Sequence, residues 1–335
     1  MSTRAYAAMA AKEPLQPHDY EAPTLGAMDC QVAITHCGIC HSDLHLIDND
    51  WGVSRYPLIP GHEIVGKVTA IGSDVKQLKV GQRVGIGWLC RSCMQCEWCL
   101  QGDDNLCSKQ QPTCIGHPGG FADTIQVDSR FAVPIPESLS SEQVAPLFCG
   151  GVTVYSPLRT HVTSPMRVGI IGIGGLGHMG LQFANAFGCE VTAFSTSAGK
   201  EAEAKRLGAH HFVVSSDNDA INKLRNSFDF ILNTANAALP WTTYLELLRP
   251  KGKLCFVGVP TRNIEIPAMN LIALRKEICG SNIGNIPTIK EMLDFAARHK
   301  LGAQIEPFPM SKVNDALDKL RKNDVRYRAV LVNDF

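Results

Sequence analysis

RVGIIGIGGLGHMGLQFANAFG, residues 167–188, is the stretch on which the fold turns. RVGIIGIG is a continuous apolar run of the kind a buried strand needs, and GLGHMGLQFANAFG repeats its apolar residues with helical spacing. Between them lies Gly172-Ile173-Gly174-Gly175-Leu176-Gly177. A backbone without side chains at those glycines can turn tightly and approach a pyrophosphate held on the helix N-terminus. The six-residue pattern alone is weak. Its place between strand and helix supplies the context that a dinucleotide site requires.

Reading outward, CEVTAFS (189–195) is a second strand, AGKEAEAKRLGA (198–209) a helix, HHFVVS (210–215) a strand and DAINKLRN (219–226) a helix. FDFILNTA (228–235), WTTYLELLRP (241–250) and KLCFVGV (253–259) continue the series as strand, helix and strand. Strands alternating with helices of that length call for a parallel sheet covered on both faces, so residues 144–285 are expected to form a doubly wound, Rossmann-type α/β cofactor domain. SEQVAPLFCGGVTVYSPL (141–158), at its start, reads as helical.

The texture of residues 1–143 is different. QVAIT, EIVGKVTAIG, QRVGIGW, TIQVD and FAVPIP are short apolar runs broken by glycine and proline, which predicts a mainly β domain of irregular or barrel form. After the cofactor domain, IKEMLDFAARHK and VNDALDKLRK are amphipathic helices and RAVLV a closing strand; residues 286–335 are expected to return to the first domain. Two domains also suit 335 residues, since one core usually serves ~100–200.

Lys+Arg and Asp+Glu both number 32, so no net charge draws the chain to nucleic acid or an anionic membrane. A small uncharged partner fits better. The opening MSTRAYAAMAAKEPL is too weakly apolar for a secretory leader, no run of ~18 apolar residues follows, and a cytoplasmic protein is expected. Thirteen cysteines in that compartment point to metal or catalysis before disulfides. Cys30, Cys189, Cys255 and Cys279 stand singly in apolar patterns, as small buried hydrophobes.

Cys93-x2-Cys96-x2-Cys99-x7-Cys107 offers the four thiolates of a closed, structural zinc site in a lobe spanning about 90–108. Cys90 opens a second frame, because Cys90, Cys93, Cys96 and Cys99 also recur every third residue, and spacing does not exclude it. An open catalytic zinc needs three protein ligands. CGICHSDLH (37–45) offers Cys37, Cys40, His41 and His45; GHE offers His62 with Glu63; LFCGG offers Cys149. Two thiolates and a neutral imidazole would balance the charge of Zn²⁺. Spacing leaves open which cysteine of the first cluster is the ligand.

The cofactor itself is argued from the end of the second strand. An NAD site usually places Asp or Glu about 20 residues past the glycines, on the ribose hydroxyls. Here the chain has Ser195-Thr196-Ser197-Ala198-Gly199-Lys200. Three hydroxyls and an ammonium can hold a 2′-phosphate that a carboxylate would repel, so NADP(H) is expected. The same hydroxyls could cap the following helix.

CGICHSDLH, GHE, the Cys93–Cys107 spacing, LFCGG and GIGGLG occur in the order found in zinc-dependent medium-chain alcohol dehydrogenases, and the chain resembles the cinnamyl alcohol dehydrogenase branch, with bacterial NADPH-dependent aldehyde reductases, over nearly its whole length. The resemblance implies a GroES-like catalytic domain and two zinc ions per chain. It implies Cys40, His62 and Cys149 as catalytic zinc ligands, Cys37 as a structural thiol, and Cys93, Cys96, Cys99 and Cys107 as the second set, with Cys90 a departure. It further implies that Ser42 touches the substrate oxygen and passes a proton through the nicotinamide ribose to His45, and that Asp43 orients His62. Glu63 becomes a neighbour or occasional ligand of the zinc, and His41 and Arg328 contacts of the cofactor pyrophosphate. Trp51, Trp88 and Leu89 are candidate pocket walls, and a homodimer is implied. The expected activity is reversible reduction of aldehydes to primary alcohols by hydride from NADPH. Its rivals are an NAD-dependent polyol or secondary-alcohol dehydrogenase and a non-catalytic, cofactor-binding redox sensor.

Overall fold

The strand Arg167–Ile171, from which the glycine loop leaves, lies inside a six-stranded parallel sheet. Across the sheet the strands run His211–Val214, Glu190–Ser195, Arg167–Ile171, Phe228–Asn233, Leu248–Phe256 and Glu277–Gly280. Chain order therefore reverses between Arg167–Ile171 and Phe228–Asn233, the switch point where doubly wound sheets bind ligands beyond their strands' carboxyl ends. Central strands covered on both faces must be apolar throughout. Val168, Ile170, Val191, Ala193, Phe194, Ile231 and Leu232 are accordingly buried. Phe194 meets the edges of Phe228 and Tyr244 at centroid distances of 5.6 and 5.7 Å, and Trp241 that of Phe256 at 4.8 Å.

The computed structural model describes residues 2–335, and they divide into two compact units. Thr153–Ile283 carries the parallel sheet; the chain up to Val152, with Gly284–Phe335, forms the other. Residues 144–152, Cys149 among them, thus belong to the β-rich unit.

That unit is built on a seven-stranded sheet whose spine is the long strand Asp29–Gly38. Glu63–Ile71 pairs along its length, Thr124–Asp128 beside its first half and Arg328–Val332 beside its last residues, all antiparallel. The chain's tail is therefore part of this sheet. Helix Val313–Arg321 buries Val313, Ala316, Leu317 and Leu320, an i, i+3, i+4, i+7 stripe. Helix Ile286–His299 starts at Asn285, whose side chain accepts from Thr288 N at 2.8 Å, while Asp104 accepts from Ile286 N at 3.0 Å.

Local structure departs from the sequence reading in two places. Residues 141–158 are three pieces, not one helix: Ser141–Val144, a 3₁₀ turn Ala145–Phe148, and helix Gly150–His161. Cys149 sits between them at φ −125°, ψ −75°, outside the helical region. Pro146 lacks an amide hydrogen and the pair Gly150-Gly151 favours helix weakly, so nothing local holds one helix through Cys149. Short outer strands were also missed: Ser2–Ala7 with Gln16–Glu21, Glu277–Gly280 and Ile305–Pro309. Their mixed polarity and brevity carry little period-two signal. Among the described residues no helix is long and apolar enough to cross a membrane.

Asp48, at the end of helix His41–Asp48, takes both terminal nitrogens of Arg321, one at 2.7 Å, and so ties the N-terminal half of the unit to its tail. That hydrogen bond holds the Asp48 carboxyl below its ordinary value. A depressed folded pKa means stability that is present above the unfolded value and is lost as pH falls through the folded one. Asp48→Asn is expected to cost about 1 kcal/mol at pH 7, the scale of a partly exposed pair. In urea titrations the difference should shrink below pH ~3.9.

Candidate active site

Cys40 ends the strand-to-helix connection with extended backbone (φ −111°, ψ 157°), and helix His41–Asp48 follows. Asp43, in the first turn, turns back so that Oδ2 accepts from Cys40 N at 2.8 Å, a capping box with a thiol in the hydroxyl's place. Its Oδ1 accepts from Gly61 N and from His62 Nδ1, each at 2.9 Å. Gly61 has φ +100°, and a side chain there would strike Phe121 and the Cys37 sulfur, so only glycine lets the chain present His62 in this way. Asp43 and His62 have no exposure.

With its proton held on Nδ1, His62 aims Nε2 inward, and that atom is buried without a hydrogen-bond partner. Cys40 Sγ, Cys149 Sγ, His62 and a Glu63 oxygen lie within 4.8 Å of one another. The break at Cys149 delivers its thiol to this cluster. The hydrogen bond from Cys149 draws Cys40 well below the ordinary thiol pKa, with His62 and Arg328 helping, while the same shared proton and burial raise Cys149. Two thiol sulfurs and an orphaned imidazole nitrogen are a donor set that a divalent cation completes. Two thiolates and one neutral imidazole suit tetrahedral zinc with one position left over.

Glu63 and Arg328 form a buried ion pair beside the cluster. Burial pushes the Glu63 carboxyl upward and the guanidinium pulls it back. Arg328, expected at a pyrophosphate, is only 5% exposed and is engaged by Glu63. His41 is exposed at the head of its helix. Ser42 Oγ lies 3.7 Å from Cys40 Sγ. One turn on, His45 is half-buried, with Nδ1 on Asp50 Oδ2 at 2.8 Å and its ring 5.3 Å from Trp51. Trp51 meets Trp88 edge-on at 6.2 Å, and Trp88 meets His62 edge-on at 4.8 Å. A line of rings therefore leads from the surface to the cluster. Leu89 is buried in the short strand Leu89–Arg91.

The second cysteine group is closed. Sulfurs of Cys93, Cys96, Cys99 and Cys107 lie within 4.8 Å of one another, with Cys93 3.5 Å from Cys107 and 3.9 Å from Cys99. Backbone amides of Gln95 and Cys96 bring Cys93 down to about 6. Lys109 N donates to Cys107 Sγ at 3.3 Å. Cys90 is elsewhere: its thiol donates to the Gln111 carbonyl at 3.3 Å, and burial pushes it up to about 12. Cys37 is likewise buried, directed to the Gly38 carbonyl.

In the parallel-sheet unit, Gly172 adopts φ +86°, and a side chain on Gly177 would meet the Gly172 carbonyl at 1.9 Å, so the turn into helix Gly177–Ala186 demands both glycines. Over Gly174 a side chain would enter open space, the kind of cradle a phosphate can use. Gly175 and Leu176 complete the turn. Ser195 is buried and its Oγ accepts from Ser197 N at 3.2 Å; Thr196 and Ser197 are exposed. Lys200 reaches over the loop and donates from Nζ to the Ile173 carbonyl at 2.7 Å.

Two residues escaped the sequence reading. Cys114 donates to the Gly61 carbonyl at 3.2 Å, and its sulfur is within 4.8 Å of the ligand atoms of Asp43 and His62. Asp50 holds His45. Neither stands in a recognisable spacing, and only the folded loops bring them in.

Residues 26–137 match the family model for the alcohol dehydrogenase GroES-like domain, and 175–298 that for the zinc-binding dehydrogenase. Aldehyde reductase AdhA of Synechocystis sp. is 42% identical over 98% of this chain and 98% of its own. Mannitol dehydrogenase of Petroselinum crispum is 44% identical over 95% of this chain and 97% of its own. The crystal structure of CAD from Helicobacter pylori complexed with NADP(H) superposes with TM-score 0.92 at 32% identity, covering 99% of this chain and 98% of that one.

The two cysteine frames make different predictions for metal content. Cys107→Ser is expected to reduce bound zinc by about one ion per chain, whereas Cys90→Ser should leave it unchanged. Elemental analysis of the purified variants decides between the frames.

Proposed function

The chain belongs to the zinc-dependent medium-chain alcohol dehydrogenases, in the branch of cinnamyl alcohol dehydrogenases and bacterial aldehyde reductases, and we propose that it reduces aldehydes to primary alcohols, reversibly, with NADPH. The observation that carries this reading is the buried, unpartnered Nε2 of His62 between two thiol sulfurs. Cys40, His62 and Cys149 would hold the catalytic zinc, and Cys93, Cys96, Cys99 and Cys107 a second, closed one. When bound, zinc supplies a Lewis acid for the carbonyl oxygen and NADPH the hydride.

The chain's own residues do the rest. Asp43 keeps the proton on Nδ1 and fixes the ring, which leaves Nε2 basic. Ser42, one turn before His45 on one helical face, gives its hydroxyl proton to the substrate oxygen. His45, half-exposed and held by Asp50, exchanges a proton with solvent. Glu63 and Arg328 act as a pair, keeping a compensated charge beside the thiolates. His41 remains the candidate for the cofactor phosphates on this unit.

NADP(H) is supported by the surroundings of the glycine loop: Thr196 and Ser197 present hydroxyls, and the Lys200 ammonium lies against Ile173. The Helicobacter pylori relative is complexed with the same cofactor. Trp51 and Trp88 favour an apolar or aromatic aldehyde, because ring faces give dispersion and offer a polyol's hydroxyls no acceptor. That weighs against the mannitol-type reading. A homodimer is supported by Val259, Met269 and Ile272, exposed by 76, 65 and 66% within one stretch of the second unit. A chain that reserves Cys40, Cys149 and the lobe's thiols for metal suits the reducing cytoplasm.

Two measurements test the scheme. Stripping zinc with a strong chelator should abolish NADPH oxidation with benzaldehyde, and refilling should restore it; activity surviving loss of the catalytic metal would overturn the assignment. Lys200→Ala should weaken NADPH binding by about tenfold, about 1.4 kcal/mol, with NADH almost unaffected. An equal loss for both cofactors would reduce Lys200 to a loop support.

A further inference from the structure

The last two strands of the parallel sheet, Leu248–Phe256 and Glu277–Gly280, place Cys255 directly opposite Cys279 in register, so the two thiols are neighbours on one face of the sheet. Cys255 is fully buried, whereas Cys279 is partly open to solvent. Two residues earlier on the same strands, Lys253 Nζ pairs with Glu277 Oε2 at 2.6 Å, and strand alternation puts all four side chains on one face. From the end of helix Gly150–His161, His161 brings Nε2 to 4.0 Å from Cys279 Sγ, its ring stacked on Phe230 at 5.8 Å. The reductase chemistry uses none of these groups.

We propose that Cys255 and Cys279 form a second reactive centre, an oxidisable dithiol that closes to a disulfide when a hydroperoxide reaches Cys279. The accessible thiol has an ammonium, an imidazole and a second thiol around it, the setting in which a cysteine is reactive and has a resolving partner. The neighbouring Cys255 thiol draws Cys279 down to about 7, and Lys253 adds to it against burial and the Glu277 carboxylate. Burial and Lys253 keep His161 below its ordinary value, with Glu277 opposing them, and its Nε2 stands 4.0 Å from the Cys279 sulfur.

The Cys279 thiolate attacks one peroxide oxygen; an S–O bond forms, the O–O bond breaks, and the leaving hydroxide departs as water with the proton that Cys279 had given up. Cys255 sulfur then attacks the sulfenic sulfur; an S–S bond forms, the S–O bond breaks, and the second hydroxide leaves as water with the Cys255 proton. Two thiols lose two electrons and two protons, and one hydrogen peroxide becomes two waters. Neighbouring strands lie about 4.8 Å apart, inside the Cα separations of ~4.4–6.8 Å that a disulfide spans. A bond squeezed between hydrogen-bonded strands is strained, so thiols should reopen it readily.

The test treats the zinc-loaded full chain with about one equivalent of hydrogen peroxide, blocks the remaining thiols and maps the peptides. The expected product is a Cys255–Cys279 cross-link, reversed by dithiothreitol, with zinc content unchanged. Cys255→Ala should accumulate Cys279 sulfenic acid, trapped by a cyclic 1,3-diketone, and Cys279→Ser should slow the first thiol oxidation by at least about tenfold. Recovery of both cysteines as blocked thiols while the metal-site cysteines oxidise, or a cross-link seen only after zinc release, would overturn the proposal. The mapping of the unaltered chain decides even where a variant folds poorly.

Discussion

One buried carboxylate organises the catalytic unit. Asp43 receives Cys40 N, Gly61 N and His62 Nδ1, so a single side chain joins the helix His41–Asp48 to the turn that enters strand Glu63–Ile71. Removing a carboxylate from water costs several kcal/mol, which only charge-assisted hydrogen bonds of this kind can offset. The donors are two amides and one ring nitrogen. With its Nδ1–H donated to that carboxylate, His62 can meet a cation only through Nε2, which has no partner of its own.

The sheet register explains why distant segments meet here. Gly38 opposes Glu63, and Cys37 opposes both Ile64 and Leu331, so the ends of three strands converge beside the Cys40–His62–Cys149 cluster. Arg328 rides in on the last strand, which is why a residue near the chain's end neutralises Glu63. The interruption of helix at Cys149 adds the remaining sulfur of the cluster from a fourth segment.

Much of this was legible before folding. The strand–glycine–helix order around Gly172–Gly177 and the alternation after it announce a doubly wound sheet, because a parallel sheet buried on both faces leaves long apolar runs. Cys40, His62 and Cys149 could be nominated from short motifs, but the choice of Cys40 over Cys37 rested on resemblance; the structure buries Cys37 against the Gly38 carbonyl and gives Cys40 the cluster. Cys90 was indistinguishable by spacing, since its partner is a carbonyl on the short strand Gln111–Pro112. Arg328's partner, Cys114 and the Cys255–Cys279 pair were hidden for the same reason. Each is created by strand pairing or loop return between residues far apart in the chain, and no local pattern encodes that.

The two cysteine groups differ in what they would offer a metal. In the lobe, four sulfurs lie within 4.8 Å of one another, the Gln95 and Cys96 amides hold Cys93 low and Lys109 N donates to Cys107, so a metal there would be left no place for a substrate. Around His62 there are two sulfurs and a nitrogen, and the nearest further oxygen belongs to Glu63. Arg328 holds one oxygen of that carboxylate and leaves the other without a partner. A carboxylate compensated by a buried guanidinium would be a poor competitor for a cation that two thiolates balance. In a zinc held by Cys40, His62 and Cys149 the Glu63–Arg328 pair would thus leave room for a substrate oxygen, which a set of four thiolates would not.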